Sequence, residues 1–112
     1  MRFVVLSDTH GDLSKMYRAL DYLRALAPDA LIHLGDHCAD GEQLARELDL
    51  PLYAVAGNCD AGRTLAPQER VLEAEGARVL LCHGHAWGVN DGLQRLLYAA
   101  QERACAAALF GH

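Results

Sequence analysis

Five short stretches of the 112-residue chain carry side chains able to hold metal ions. They are Asp8 and His10 in Ser7-Asp8-Thr9-His10-Gly11, Asp36 in Gly35-Asp36-His37, and Asn58 in Gly57-Asn58-Cys59-Asp60. His83 and His85 in His83-Gly84-His85 and His112 after Gly111 complete the set. Mixed carboxylate, imidazole and amide donors suit Mn²⁺, Fe or Zn²⁺ rather than a thiolate cluster. Two carboxylates and three imidazoles crowded into one pocket repel or protonate unless a cation sits among them. One carboxylate shared by two ions about 3.5–4 Å apart is a common solution, and such pairs cleave phosphate esters. Asp8 and His10 face the same way if their segment is extended. Gly35 lets the backbone come close to whatever Asp36 binds.

The elements that must position these residues alternate between two periodicities. Phe3–Leu6, Ala30–Leu34 and Leu52–Ala56 read as buried strands. Between the first two, Leu13, Met16, Tyr17, Leu20, Leu23 and Ala27 fall on one helical stripe, with Asp12 as N-cap and Pro28 as stop. A shorter helix with Leu44, Ala45 and Leu48 inward ends before Pro51. Arg70–Ala74 and Ala77–Cys82 flank Glu75-Gly76, a hairpin with a tight turn. A helix from about Asp91 to about Arg103 presents Leu93, Leu96, Leu97, Ala100 and Ala104, and Cys105–Phe110 reads as the last strand. Strand–helix–strand–helix–strand alternation predicts a parallel α/β sheet. Each of the five clusters follows a strand directly, and open α/β sheets form sites beyond the carboxyl ends of their strands. Gly57–Gln68 is left without an assignment.

Composition bounds the reading. A chain of 112 residues and 12.2 kDa, 52% hydrophobic and 22% charged, predicts one globular domain spanning residues 1–112. Ten Lys and Arg against fifteen Asp and Glu give a net charge of −5, which argues against broad adhesion to nucleic acid or an anionic membrane. The longest apolar run, Ala104–Phe110, is too short to span a bilayer, and Phe3–Leu6 is too short for a secretory signal. A cytoplasmic location with free thiols is expected, and no C-x-x-C pair signals a zinc ribbon or redox centre. His33 reads as a packed strand residue, His37 as a supporting or surface residue, and Cys82 and Cys105 as core. Arg63 is a candidate phosphate contact or a solvated charge.

The order Asp8-Thr9-His10, Gly35-Asp36, Gly57-Asn58-Cys59-Asp60, His83-Gly84-His85, Gly111-His112 resembles the calcineurin-like metallophosphoesterases. It is most similar to their small prokaryotic phosphodiesterase branch, related to the retromer subunit of vacuolar sorting. The resemblance covers the whole chain. It implies a two-sheet β-sandwich flanked by helices and two divalent ions, Mn²⁺ foremost, with Fe, Zn²⁺ or Ni²⁺ as alternatives. By resemblance, Asp8 and His10 bind the first metal, Asp36 bridges both, and Asn58, His83 and His112 bind the second. The resemblance implies that Asp36, Asn58 and His85 take part in catalysis, in which a metal-activated water attacks phosphorus in line. It places His85 beside the site, either in the surroundings of the first metal or against the phosphate, and Cys59 and Asp60 behind the ligands.

Two departures from the family pattern carry expectations. The family's last motif is Gly-His-x-His, and only Gly111-His112 of it is present. The resemblance thus implies a domain cut short of the second histidine and the strands after it, with impaired activity and a weak or empty first metal site. Many relatives place a histidine at the position of Cys59, where it protonates the leaving oxygen. A thiol is a poor general acid at neutral pH, which predicts slow turnover biased toward good leaving groups. The expected partner is a small phosphate ester, with a homo-oligomer open. The competing reading is a non-catalytic protein-binding scaffold like the retromer subunit. A phosphoacceptor role for Asp8 is weak, because His10 stands where a second carboxylate is expected.

Overall fold

The computed structural model describes residues 1–112 except Leu13, Ala61 and Arg63. Leu13 of the first helical stripe and Arg63, the candidate phosphate contact, therefore lie outside the described residues. Strands β1 (Phe3–Leu6), β2 (Ala30–His33) and β3 (Leu52–Ala54) form one parallel sheet in that order. Strands β4 (Glu69–Ala74), β5 (Ala77–Cys82) and β6 (Ala107–Leu109) form a second. In it, β4 and β5 pair antiparallel and β5 and β6 pair parallel. Helices α1 (Ser14–Arg18), α2 (Leu20–Ala25) and α3 (Cys38–Leu48) connect the first sheet, and α4 (Gln94–Glu102) connects β5 to β6. Among the described residues, no helix is long and apolar enough to cross a membrane.

The strands alternate faces, and this alternation builds the layers. Leu31 of β2 packs with Leu44 and Ala45 of α3, joined by Val4, Leu6, Met16, Leu20 and Leu52. The next residue, Ile32, turns the other way and meets Val55, Leu72 and Leu81 between the sheets. Leu80 and Cys82 of β5 face outward onto Leu96, Ala99 and Ala100 of α4. The result is helices, sheet, sheet, helix. Leu31, Leu44, Leu80 and Leu81 are fully buried, each stabilising the fold by about 1.5–3 kcal/mol.

The single parallel sheet expected from the alternation is therefore two stacked sheets, as the family resemblance implied. Four-residue apolar strands show that both faces are covered but not by what. The first helix is interrupted at Ala19, whose N–H is shared between Lys15 O (3.2 Å) and Met16 O (3.1 Å). Helix α3 begins at Cys38, immediately after the site loop. A 3₁₀ turn, Val89–Asp91, takes up the start expected for α4, and a second, His85–Trp87, precedes it. Leu93 and Leu97 of its expected stripe are exposed, and Ala99 is buried instead. The β4–β5 turn is as expected, with Glu75 at φ 51° and Gly76 at φ 82°, the left-handed pair of a tight hairpin turn. Cys82 lies in the core and Cys105 packs at its edge, and all four cysteines are free.

Candidate metal centre

The loops after β1, β2, β3, β5 and β6 meet at one rim, stitched by backbone hydrogen bonds. Asp8 N–H donates to Gly35 O (2.8 Å), and the amides of Gly111 and His112 donate to His83 O (3.1 and 2.8 Å). Four of the residues that bend these loops, Asp8, His10, Asp36 and His37, hold left-handed φ between 50° and 80° without being glycine. Such backbone costs energy and persists only where the surroundings impose it. The Asp8–His10 segment is thus not extended as expected, yet His10 Nε2 still lies 4.0 Å from Asp8 Oδ1.

Asp36 stands at the centre and is 3% exposed. Its Oδ1 accepts Cys59 N–H (2.9 Å), while Oδ2 lies 3.3 Å from His83 Nε2 and 3.9 Å from His10 Nε2. Burial pushes its carboxyl up, but the Cys59 amide and the neighbouring His83 outweigh that and hold it below its ordinary value. No side chain fits beside it. A Cβ at Gly57 would meet Asp36 Oδ1 at 2.2 Å, and one at Gly35 would meet the Gly57 backbone at 2.7 Å.

His83 is fully buried, and its Nδ1 is 2.8 Å from Leu34 O. A carbonyl only accepts, so Nδ1 carries a proton, which leaves Nε2, facing the carboxylates, as the ring nitrogen available to a cation. That Nε2 lies 3.8 Å from Asp8 Oδ1 and 3.0 Å from His112 Nδ1. Donor atoms of Asp8, Asp36, His83 and His112 all lie within 4.8 Å of one another, as do those of His10, Asp36 and Cys59. Donors about 2.1 Å from one ion sit about 3.0–3.4 Å apart, so the spacings approach a coordination sphere. Two facing carboxylates with imidazole nitrogens beside them have the charge and donor chemistry for a divalent cation.

The remaining expected site residues are placed as follows. Asn58 opens a 3₁₀ turn (Asn58–Asp60), exposed, with its carboxamide N donating to Cys59 Sγ at 3.8 Å. Cys59 is exposed, and partial loss of water around its sulfur together with the charge of Asp36 raises its thiol above the ordinary value. His85 is half-buried, its ring 5.4 Å from that of His83, and its buried Nδ1 has no partner among the described residues. Burial and the neighbouring His83 and His112 lower it, so it stays neutral near pH 7. Helix α3 starts beside Asp60, whose two oxygens accept the amides of Asp36 (2.8 Å), His37 (2.8 Å), Cys38 (3.0 Å) and Gly57 (2.9 Å). Burial opposes its charge, but these donors win and hold it at about 2. The same buried environment pushes the Cys38 thiol up to about 12.

Several supporting residues were not singled out in the sequence. Asp40, buried in the first turn of α3, accepts Gly11 N–H (2.7 Å) and pairs with His37 Nδ1 (3.0 Å), tying down the loop that carries His10. Ser7 Oγ donates to Asp8 Oδ2 (2.5 Å). His33, packed as expected, also accepts Gly35 N–H at Nδ1 (3.1 Å) and meets Thr9 Oγ1 through Nε2 (3.1 Å). Burial lowers its titration, in keeping with this neutral form. Of these contacts, that of Ser7, next to the expected ligand Asp8, had a local signal in the sequence.

The calcineurin-like phosphoesterase superfamily domain matches residues 1–112. The chain is 33% identical over 113 aligned positions to a probable metallophosphoesterase of Bacillus subtilis, YsnB, covering 100% of this chain and 63% of that protein. A conserved uncharacterised Streptococcus pneumoniae protein, described as a predicted phosphoesterase, superposes with TM-score 0.75 at 31% identity, over 98% of this chain and 60% of that one. Vacuolar Protein Sorting 29 of Cryptosporidium parvum shares the fold, with TM-score 0.79 at 15% identity over 98% and 63%. The chain thus spans a little under two thirds of the length of these relatives. It belongs to the calcineurin-like phosphoesterase superfamily.

Proposed function

We propose that the domain hydrolyses a small phosphodiester or phosphomonoester at a centre of two divalent cations that share Asp36. The observation that carries this reading is that Asp36 is common to both donor clusters among the described residues. Mn²⁺ is the first choice, with Fe, Zn²⁺ or Ni²⁺ as alternatives, because nitrogen and oxygen donors predominate. Such ions lower the pKa of a water and neutralise charge on the phosphoryl oxygens. The chain's own residues do the rest. Asp8, His10, Asp36, His83 and His112 would hold the cations, joined by the carboxamide oxygen of Asn58, whose nitrogen is engaged with Cys59. Asp60 keeps the Asp36 and Asn58 loops in register. His85, neutral and beside His83, offers a hydrogen bond to a phosphate oxygen rather than a proton to the leaving group.

Neither Cys59 nor His85 is suited to protonate a leaving oxygen. General acid help is typically worth about 10²–10⁴ in rate, so aryl diesters are expected to outrun alkyl diesters by that order. The test is hydrolysis of a matched aryl and alkyl diester with added Mn²⁺ and after chelation. Mn²⁺-stimulated, chelator-sensitive cleavage with a steep leaving-group dependence is the expected result. Hydrolysis indifferent to chelation contradicts the metal centre, and equal aryl and alkyl rates with chemistry limiting contradict the missing acid. A protein-binding scaffold is the second reading, favoured by the fold shared with Vacuolar Protein Sorting 29. It predicts metal binding without turnover.

A further inference from the structure

We infer that Cys59 is itself a metal ligand, completing with His10 and Asp36 a centre of softer character than its neighbour. The inference rests on the metal-centre reading above and adds a donor that the family resemblance does not place there. Cys59 Sγ lies within 4.8 Å of the ligand atoms of His10 and Asp36, the same span that groups Asp8, Asp36, His83 and His112. Its position is fixed from three sides. The Cys59 amide donates to Asp36 Oδ1 (2.9 Å), so the residue that orients the shared carboxylate also carries the sulfur. Its turn is held by Asp60, which accepts Gly57 N–H (2.9 Å) within the turn and the amides of Asp36, His37 and Cys38 across it. The Asn58 carboxamide donates to Sγ at 3.8 Å, a third contact that orients the sulfur. The other cysteines lie elsewhere: Cys38 and Cys82 are buried, and Cys105 packs at the edge of the α4 core.

The chemistry divides the two clusters. Asp8, Asp36, His83 and His112 offer only oxygen and nitrogen, which suit Mn²⁺. His10, Asp36 and Cys59 offer one nitrogen, one oxygen and one sulfur, which shifts preference toward Zn²⁺, Co²⁺ or Cd²⁺. Binding exchanges the S–H bond for a sulfur–metal bond and releases one proton to solvent. The centre is therefore unequal, with a thiophilic ion favoured on the Cys59 side. A sulfur bound in this way has no proton to give a leaving group, which agrees with the leaving-group bias expected above.

The test titrates the full metal-free chain with Co²⁺, and separately with Cd²⁺ and Mn²⁺, in the wild type, Cys59→Ser, Cys59→Ala and Cys105→Ser. Near-ultraviolet sulfur-to-metal charge-transfer absorption is expected in the wild type and in Cys105→Ser, and is expected to vanish in both Cys59 variants. Cd²⁺ affinity is expected to fall on the order of ten- to a hundredfold in those variants, while Mn²⁺ affinity at the oxygen and nitrogen cluster is retained. Visible Co²⁺ bands without sulfur charge transfer, or a charge-transfer band that survives Cys59→Ser, overturn the inference and leave the metal centre standing. Absence of any Co²⁺, Cd²⁺ or Mn²⁺ binding overturns both. Unchanged near-ultraviolet circular dichroism in Cys59→Ser separates loss of a ligand from loss of the fold.

Discussion

Asp36→Asn is expected to lower metal-stimulated hydrolysis of a chromogenic aryl diester by about three orders of magnitude. The substitution keeps the size of the side chain and leaves an oxygen to accept the Cys59 amide, which now holds Asp36 Oδ1 at 2.9 Å. It removes the charge common to both donor clusters. It also turns an amide N–H₂ toward His83 Nε2, 3.3 Å from Asp36 Oδ2, where that group competes for the lone pair meant for a cation. Loss of a shared ligand withdraws several kcal/mol of charge stabilisation, and about 4 kcal/mol corresponds to about a thousandfold. The measurement is the initial rate with saturating Mn²⁺ for both proteins at matched folded concentration. A loss below about tenfold would remove Asp36 from the centre and favour the scaffold reading or a contaminating activity.

The second large effect is on stability. Asp60→Asn is expected to cost about 3 kcal/mol at pH 7, because two of the four buried amides then face an N–H₂ group instead of an oxygen. Acid provides the complementary readout. The Asp60 carboxyl sits at about 2 in the folded chain, below its ordinary value of 3.8. A depressed carboxylate contributes stability that is fully present above its unfolded value and is lost as pH falls through the folded one. The contribution of about 2 kcal/mol therefore disappears between about pH 4 and pH 2. Urea unfolding across that range should show the wild type losing its advantage over Asp60→Asn as the pH drops. Equal stability of the two proteins at pH 7, or parallel acid profiles, would contradict the role given to this carboxylate.

What the sequence made legible, and what it hid, follows from the range of the interactions. Strand ends that run straight into Asp8, Asp36, Asn58, His83 and His112 are local patterns, and the structure brings Asp8, Asp36, His83 and His112 together. The β4–β5 hairpin was equally local, because Glu75-Gly76 alone specifies its turn. The stacking of two sheets was not, since strands buried on both faces look alike whether helices or a second sheet cover them. Asp60 shows the same limit within the site. Three of its four amide partners lie more than twenty positions away on the β2–α3 loop, so its weight could not be read from its neighbours. Asp40 acts across a similar distance, on Gly11, 29 positions earlier. The His10 loop was misjudged locally, because left-handed backbone at Asp8 and His10 replaces the extended segment that their spacing suggested. The closeness of Cys59 to His10 and Asp36 is a product of that loop packing and of the Asp60 clamp together.

The central claim is that Asp36 lies between two divalent ions, and anomalous scattering from crystals grown with Mn²⁺ and Zn²⁺ together tests it most directly. The account predicts two anomalous peaks about 3.5–4 Å apart on either side of the Asp36 carboxylate, one toward His83 and His112 and the other toward His10 and Cys59, with Asp8, 3.8 Å from His83 Nε2 and 4.0 Å from His10 Nε2, between them. Peaks elsewhere on the molecule, or ordered crystals at saturating Mn²⁺ and Zn²⁺ with no peak within coordination distance of Asp36, would contradict it.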